Sequence, residues 1–202
     1  MPDAQFQRIA ADQPPLADEP EMRRQLARLV IAAVPAFYDL IPLPVEALED
    51  VIGNQIGTSG TELEQAAMAS FGGSPAALVT WLACDRLDAA RRAGSVGLMR
   101  QIDRASTPAF LKAVGDYSKS VEPFTGEGLY LSRVAVADAQ RGQGLGRAAV
   151  QQVIDAGVGS DVWLHVAAGN EPAIALYRSM GFQFAANGDF QSRAMRRPGH
   201  VG

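Results

Sequence analysis

Apolar residues recur at two spacings along the second half of the chain, and the two spacings alternate. Residues 129–136 (Leu-Tyr-Leu-Ser-Arg-Val-Ala-Val) predict a strand, and residues 161–166 predict a second, buried strand. Between them, Leu145, Ala149, Val150 and Val153 recur at helical spacing, with Gly157 as the C-terminal cap. A second helix is predicted over residues 173–180. Residues 182–186 and 191–196 then predict a hairpin around the turn Asn187-Gly188-Asp189.

The first half of the chain predicts mainly helices and one hairpin. Met22, Leu26, Leu29, Val30 and Ala33 follow Pro20 at helical spacing, and Pro35 ends or bends this helix. Residues 45–56 predict a second amphipathic helix, with Val45 on its apolar face. Residues 6–10 predict a short strand. Residues 63–71 and 76–84 predict two strands joined by the turn Gly72-Gly73-Ser74-Pro75.

Composition narrows the class of protein. The chain has 202 residues, 48% of them hydrophobic, which is typical of one globular domain spanning residues 1–202. The net charge of −4 argues against a general nucleic-acid binder. Cys84 is the single cysteine, so no internal disulfide forms, and with His165 and His200 as the two histidines we expect no metal site.

The first residues lack a secretory signal and no apolar run spans a bilayer, so we expect a cytoplasmic protein without a membrane partner.

The segment Arg141-Gly142-Gln143-Gly144-Leu145-Gly146-Arg147 joins a predicted strand to a predicted helix. Such a loop presents backbone N–H groups and a helix N-terminus to a phosphate, and glycines allow its close approach. The Gly-Lys-Ser/Thr of a P-loop is absent, and Arg147 stands where the dinucleotide fingerprint requires glycine. A plain tight turn is the alternative to a phosphate site.

Two motifs together resemble the GNAT superfamily of acyl-CoA-dependent N-acetyltransferases. The first is residues 129–136 followed by the glycine-rich loop, and the second is Asn170-x-x-Ala173-x-x-x-Tyr177-x-x-x-Gly181-Phe182. The resemblance implies an α/β fold with a mixed, mainly antiparallel sheet of about six to seven strands flanked by helices. Residues 85–128 then form a helical insertion between the third and fourth strands, which we expect to cover the acceptor pocket or to pack on a second subunit in a homodimer.

The resemblance also implies the cofactor site and the reaction. Acetyl-CoA is the co-substrate, and its acetyl group passes to a small-molecule or peptide amine by direct attack in a ternary complex. Tyr177 acts as the general acid for the coenzyme A sulfur. The pantetheine arm contacts Asn170 and the strand residues Val134, Ala135 and Val136. The pyrophosphate is held by the loop, namely Arg141, Gly142, Gln143, Gly144, Leu145, Gly146 and Arg147.

The general base stays open at this point. Glu127 precedes the fourth strand, and His165 on the fifth strand has a suitable intrinsic pKa. For each, the structural alternative is preferred, an exposed loop carboxylate for Glu127 and a packed histidine for His165. Ordered water, which many members of the family use instead, is the leading candidate. Two rival functions also remain: transfer of a longer acyl group, and a module that binds acyl-CoA without catalysis.

Overall fold

The computed structural model describes residues 5–13 and 16–199, so the predictions that rest on residues 1–4 and on His200 lie outside the described residues. Within them, seven strands form one sheet in the order β1-β2-β3-β4-β5-β7-β6. All neighbouring pairs are antiparallel except β4 and β5, which are parallel. This confirms the predicted α/β fold class. The strands are β1 Gln7–Ile9, β2 Gln65–Phe71, β3 Ser74–Ala83, β4 Leu129–Val136, β5 Val162–Ala167, β6 Gln183–Phe184 and β7 Ser192–Arg197.

Helices cover both faces of the sheet. They are α1 Pro20–Ala33, α2 Pro35–Tyr38, α3 Val45–Gly53, α4 Leu87–Met99, α5 Thr107–Lys119, α6 Leu145–Ala156 and α7 Glu171–Ser179. Leu78 of β3 packs in the cluster formed with α1 and α3, whereas Val79 packs with α6 and α7. Successive strand residues point to opposite faces, so this alternation places α1 and α6 on opposite sides of β3 and β4. Among the described residues, no helix is long and apolar enough to cross a membrane.

The predicted elements match the structure closely where local signals are strong. Strand β4 has the predicted bounds, the hairpin of β2 and β3 turns at Gly72 and Gly73, and Asn170 caps α7 by accepting the N–H of Ala173 at 3.2 Å. One prediction is wrong: Val45 is 63% exposed. It is the first residue of α3, directly after Pro44, where the apolar stripe of the helix has not yet reached the core.

Residues 85–128 contain α4 and α5 and contribute to the main core. Leu98, Ile102 and Phe110 are buried in the same cluster as Leu26 of α1 and Ile52 of α3. A segment with three side chains in this cluster is held by the hydrophobic effect. It is therefore an ordered part of the fold.

Two irregularities in β4 shape the centre of the sheet. Arg133 pairs with Thr80 and Leu131 pairs with Trp81, which leaves Ser132 as an extra residue in a β-bulge. Strand β4 also pairs with β5 only over residues 129–131, opposite residues 162–164. Beyond that point β4 continues beside β3 and β5 continues beside β7, so the two parallel strands separate.

Candidate active site

A cavity of about 980 Å³ opens where β4 and β5 separate. Its walls come from both sheet strands, from the junction of α1 and α2, and from α4, α5 and α7. Its lining includes polar and aromatic side chains, among them Glu62, Arg91, Tyr117, Glu122, Phe124, Tyr130, Ser132, Arg133, His165, Asn170 and Tyr177. Residues of the 85–128 segment form one side of the cavity.

The glycine-rich loop lies at the end of β4, ahead of α6. Gly142 and Gly144 have φ angles of 78° and 82°, a left-handed conformation that favours glycine. Among the described residues, no further heavy atom lies within 4 Å of the place a Cβ would take at either glycine, so these residues leave the space beside the loop open. The first helical bond of α6 runs from Ala148 N–H to the Gly144 carbonyl, so the earlier N–H groups of this helix start are free for a ligand. This geometry fits a phosphate group.

The two arginines that flank the loop have partners of their own. Arg141 forms an exposed ion pair with Asp138 at 2.7 Å, and Arg147 donates to the Ser179 hydroxyl at 2.6 Å. The loop therefore offers backbone N–H groups as its primary donors. The arginines must exchange partners before they contact a phosphate.

Residues Val134, Ala135 and Val136 form the part of β4 that has lost β5 as a neighbour. A strand edge without a partner presents backbone donors and acceptors to an extended ligand. The pantetheine arm of coenzyme A is such a ligand, with two amide groups. The gap between β4 and β5 therefore fits the arm that the sequence motifs implied.

Tyr177 and Asn170 lie on the α7 side of the gap. Tyr177 is largely buried against Phe182, and its hydroxyl has no hydrogen-bond partner among the described residues. Burial raises the pKa of Tyr177 to about 12. The phenol is therefore protonated near neutral pH and can donate to a ligand in the cavity. The Asn170 side chain caps α7 and also lines the cavity.

His165 belongs to a hydrogen-bonded chain. Its Nε2 lies 2.7 Å from the Glu122 carbonyl, which can only accept, so Nε2 carries the proton. Its Nδ1 then accepts the hydrogen bond from the Tyr130 hydroxyl at 2.9 Å. Arg91 donates to the same hydroxyl at 3.2 Å. Burial lowers the pKa of His165, and the charge of Arg91 acts in the same direction, so the imidazole is neutral near pH 7.

Glu62 lies between two arginines in the cavity. Its Oε1 pairs with Nε of Arg91 at 3.1 Å, and its Oε2 lies 3.7 Å from Arg133. Its backbone carbonyl accepts the Ser132 hydroxyl at 2.6 Å, which fixes the bulge residue of β4. Arg133 also donates to the Tyr38 hydroxyl at 3.3 Å and to the Ser132 carbonyl at 2.7 Å.

Glu127 lies apart from this group. Its side chain is exposed and does not line the cavity, and its backbone carbonyl accepts the indole N–H of Trp163 at 3.1 Å. The cavity has two buried or half-buried carboxylates, Glu62 and Glu122, which sequence reasoning missed. Neither has a local motif: Glu62 precedes β2 and Glu122 follows α5, and only the tertiary fold brings them near β4 and β5.

Aromatic rings form much of the remaining wall. Phe124 stacks on Tyr130 and Trp163 with ring centroids 5.5 and 5.1 Å apart. Phe37 lies beside Tyr38 and Tyr117, with ring centroids 5.3 and 5.5 Å apart. Among the described residues, no group of three or more His, Cys, Asp or Glu could hold a metal ion. The cavity is thus an aromatic-walled pocket with a few polar groups, the usual form of a small-molecule site.

Comparison with known proteins gives a family match over this region. Residues 108–182 match the model of the acetyltransferase (GNAT) family, a range that includes β4, the glycine-rich loop, β5 and α7. Over 50 residues, the chain is 42% identical to the N-alpha-acetyltransferase RimI of Mycobacterium tuberculosis. That match covers 25% of this chain and 32% of the relative, so the chain spans about a third of the length of that curated relative.

Solved structures share the fold at low sequence identity. An N-acetyltransferase from Staphylococcus aureus superposes with a TM-score of 0.66 at 15% identity, covering 88% of this chain and 95% of that one. A structure described as histone acetyltransferase HPA2 and related acetyltransferase, from Corynebacterium glutamicum, gives 0.59 at 20% identity, with 98% of both chains covered. The fold resemblance predicted from the two motifs is confirmed.

Proposed function

Because residues 108–182 carry the GNAT sequence pattern on a GNAT fold, we propose that this protein is an N-acetyltransferase. It transfers an acetyl group from acetyl-CoA to a primary amine by direct attack in a ternary complex. The coarser assignment, an acetyltransferase of the GNAT type, rests on the family match. The donor, the acceptor class and the residue roles below are the proposal.

One observation carries the proposal: the gap between β4 and β5 leads into the cavity. A pantetheine arm lying beside residues 134–136 would have its phosphates near the loop 141–147 and its thioester in the cavity. An amine that enters from the side of α4 and α5 would meet the thioester there. Holding both reactants in one geometry supplies a large part of the acceleration.

The amine nitrogen attacks the thioester carbonyl carbon, and the carbon–sulfur bond then breaks. Tyr177 gives its phenolic proton to the departing sulfur, and the second proton, which the nitrogen loses as it becomes an amide, returns to the Tyr177 oxygen through solvent. Three observations support this role. Tyr177 lines the cavity, no described residue forms a hydrogen bond with its hydroxyl, and the phenol is protonated near neutral pH. General acid help of this kind typically contributes about 10²–10⁴-fold.

The ammonium proton of the acceptor must leave before attack, and the Tyr130–His165 pair offers a path. Tyr130 lines the cavity and already donates to Nδ1 of His165. As the Tyr130 oxygen takes a proton from the ammonium, its own proton passes to Nδ1, and His165 becomes the imidazolium. His165 is then the base, as the sequence suggested, but it acts through Tyr130 because its Nδ1 lone pair is already engaged. Ordered water remains the rival acceptor.

Thiol release from acetyl-CoA in the presence of a panel of small and peptide amines tests the proposal. We expect release that depends on the amine, with the amine gaining one acetyl group by mass spectrometry. If the protein binds coenzyme A but none of the amines causes thiol release, the result would favour the acyl-CoA-binding module instead. Faster release from propionyl-CoA or longer thioesters would assign the protein to a longer acyl group.

A further inference from the structure

The cavity holds two arginines and one carboxylate in direct contact. Glu62 pairs with Arg91 at 3.1 Å and lies 3.7 Å from Arg133. The Arg133 side chain is 10% exposed, and that of Glu62 is 21% exposed. Both guanidinium groups stay charged at any ordinary pH. The cluster therefore carries one excess positive charge at the wall of the cavity, with Arg133 buried and Arg91 40% exposed.

The neutral groups around the cluster do not supply the missing negative charge. Burial raises the pKa of Tyr130 to about 12 and also raises that of Tyr117, so both phenols are protonated near neutral pH. His165 is neutral, and Tyr130 accepts a hydrogen bond from Arg91 without neutralising it.

The other carboxylates that line the cavity are directed elsewhere. Asp85 and Asp88 are exposed, and neither lies within ion-pair distance of Arg91. The Glu122 carboxylate accepts the backbone N–H of Ala194 at 2.9 Å. Among the described residues, Glu62 is thus the one carboxylate that neutralises the arginine pair.

Unused donors remain on both guanidinium groups. Arg91 uses Nε and one terminal nitrogen for Glu62 and Tyr130, and its other terminal nitrogen has no acceptor among the described residues. Its side chain is 40% exposed, so these donors reach the cavity space. Nε of Arg133 is buried without a partner among the described residues. A buried donor without a partner typically costs about 1–3 kcal/mol.

A purely structural ion-pair network is the simpler interpretation. Such a network would match charges one to one, since an unmatched buried charge is costly. The excess charge and the free donors of Arg91 lie instead at the wall of the cavity where the acceptor would bind. Resting on the proposed function, we infer that the acceptor is an amine that also carries an anionic group, a carboxylate or a phosphate, held by Arg91 with support from Arg133.

The test compares matched acceptors with and without the anion. ω-Amino acids of increasing chain length are compared with their primary amides, and O-phosphoethanolamine with ethanolamine, each by kcat/KM for thiol release from acetyl-CoA. We expect at least one anionic acceptor to exceed its neutral partner by about 10- to 100-fold, the range of a charge-assisted bidentate contact. The faster of the carboxylate and phosphate series identifies the anion. Neutral acceptors that equal or exceed the anionic ones throughout would overturn the inference.

Three variants separate recognition from folding. Arg91→Gln should remove the preference for the anion and leave the Kd of coenzyme A unchanged. Arg92→Gln, the exposed neighbour on α4, should keep the preference. Glu62→Gln removes the competing carboxylate, so the preference should increase, an outcome that a merely structural network does not predict. A preference that survives in Arg91→Gln, or that falls in Glu62→Gln, contradicts the assignment.

Failure of the proposed function is distinguishable from failure of this inference. If no amine releases thiol, the transferase proposal fails, and the anion site is judged by binding alone. Calorimetry with the N-acetylated ω-amino acids and with N-acetyl-O-phosphoethanolamine then compares the wild type with Arg91→Gln. Binding of at least one of these ligands that weakens about tenfold or more in the variant supports the site. Equal binding, or no binding to either protein, overturns it.

Discussion

The Tyr130 hydroxyl donates to Nδ1 of His165 across 2.9 Å, a direction fixed by the proton that Nε2 of His165 gives to the Glu122 carbonyl. Two residues 35 positions apart are thus joined by one hydrogen bond at the edge of the cavity. Burial, aided by the charge of Arg91, lowers the pKa of His165 and keeps the imidazole neutral in the folded protein, and its Nδ1 can then accept from Tyr130.

This relationship predicts a pH dependence of stability. The pKa of His165 lies below its ordinary 6.5 in the folded protein, so the unfolded chain takes up the proton first as the pH falls. The free energy of unfolding should therefore decrease below about pH 6.5, by at most about 1.4 kcal/mol per pH unit. Denaturant titrations at pH 7.5 and 5.5 measure the loss. It should be smaller in His165→Gln than in the wild type, and equal losses would contradict the neutral imidazole.

Removal of the Tyr177 hydroxyl tests the general acid. Tyr177→Phe should lower kcat by at least about tenfold and change the Kd of coenzyme A by less than about twofold, because the phenol acts on the departing sulfur. Because no described residue forms a hydrogen bond with this hydroxyl, the melting temperature should stay unchanged. Steady-state kinetics and calorimetry give both numbers. An unchanged kcat would mean that Tyr177 only packs against Phe182.

A carboxylate in the glycine-rich loop tests the phosphate site. Gly144→Glu should abolish coenzyme A binding, because the new side chain fills the free space of the loop and repels the pyrophosphate. Gly159→Glu is a matched control. Gly159 has a φ angle of 78°, its surroundings leave room for a Cβ, and it lies just beyond the C-terminal end of α6, far along the helix from the loop. Both variants carry similar backbone strain. Calorimetry should show loss of binding in the first alone, and equal effects would refute the loop as the site.

Phe110 tests whether the 85–128 segment is part of the core. Phe110→Ala should lower the free energy of unfolding by about 3–5 kcal/mol, since the ring is buried with α1 and α3 residues. Leu111→Ala, one position along and 51% exposed, should change it by less than about 0.5 kcal/mol. Chemical denaturation compares the two. Similar small losses would show a segment that folds independently of the core.

Local patterns were enough to predict the elements but not the inner surface of the site. Strand β4 and the glycine-rich loop have signals within a few residues, and both were found. The Glu62–Arg91–Arg133 cluster joins three distant parts of the chain, and the bulge at Ser132 depends on the pairing of β4 with β3. Contacts of this kind depend on the order of the strands in the sheet. Patterns within a few residues of one sequence do not specify that order.

Local sequence patterns were also insufficient to identify the general base. Glu127 stood near the predicted start of β4, but its side chain faces solvent, whereas Glu122, five residues earlier, is buried at the cavity. His165 was a candidate on its pKa alone. Its tautomer, and the role of Tyr130 as its partner, follow from a carbonyl 43 residues away.

A crystal structure with coenzyme A bound tests the central claim most directly. We expect the pyrophosphate on the backbone N–H groups of residues 142–147, and the pantetheine arm between β4 and β5 beside residues 134–136. We also expect the sulfur within hydrogen-bond distance of the Tyr177 hydroxyl. Coenzyme A bound outside the gap between β4 and β5, or with its sulfur away from Tyr177 and the cavity, would contradict the account.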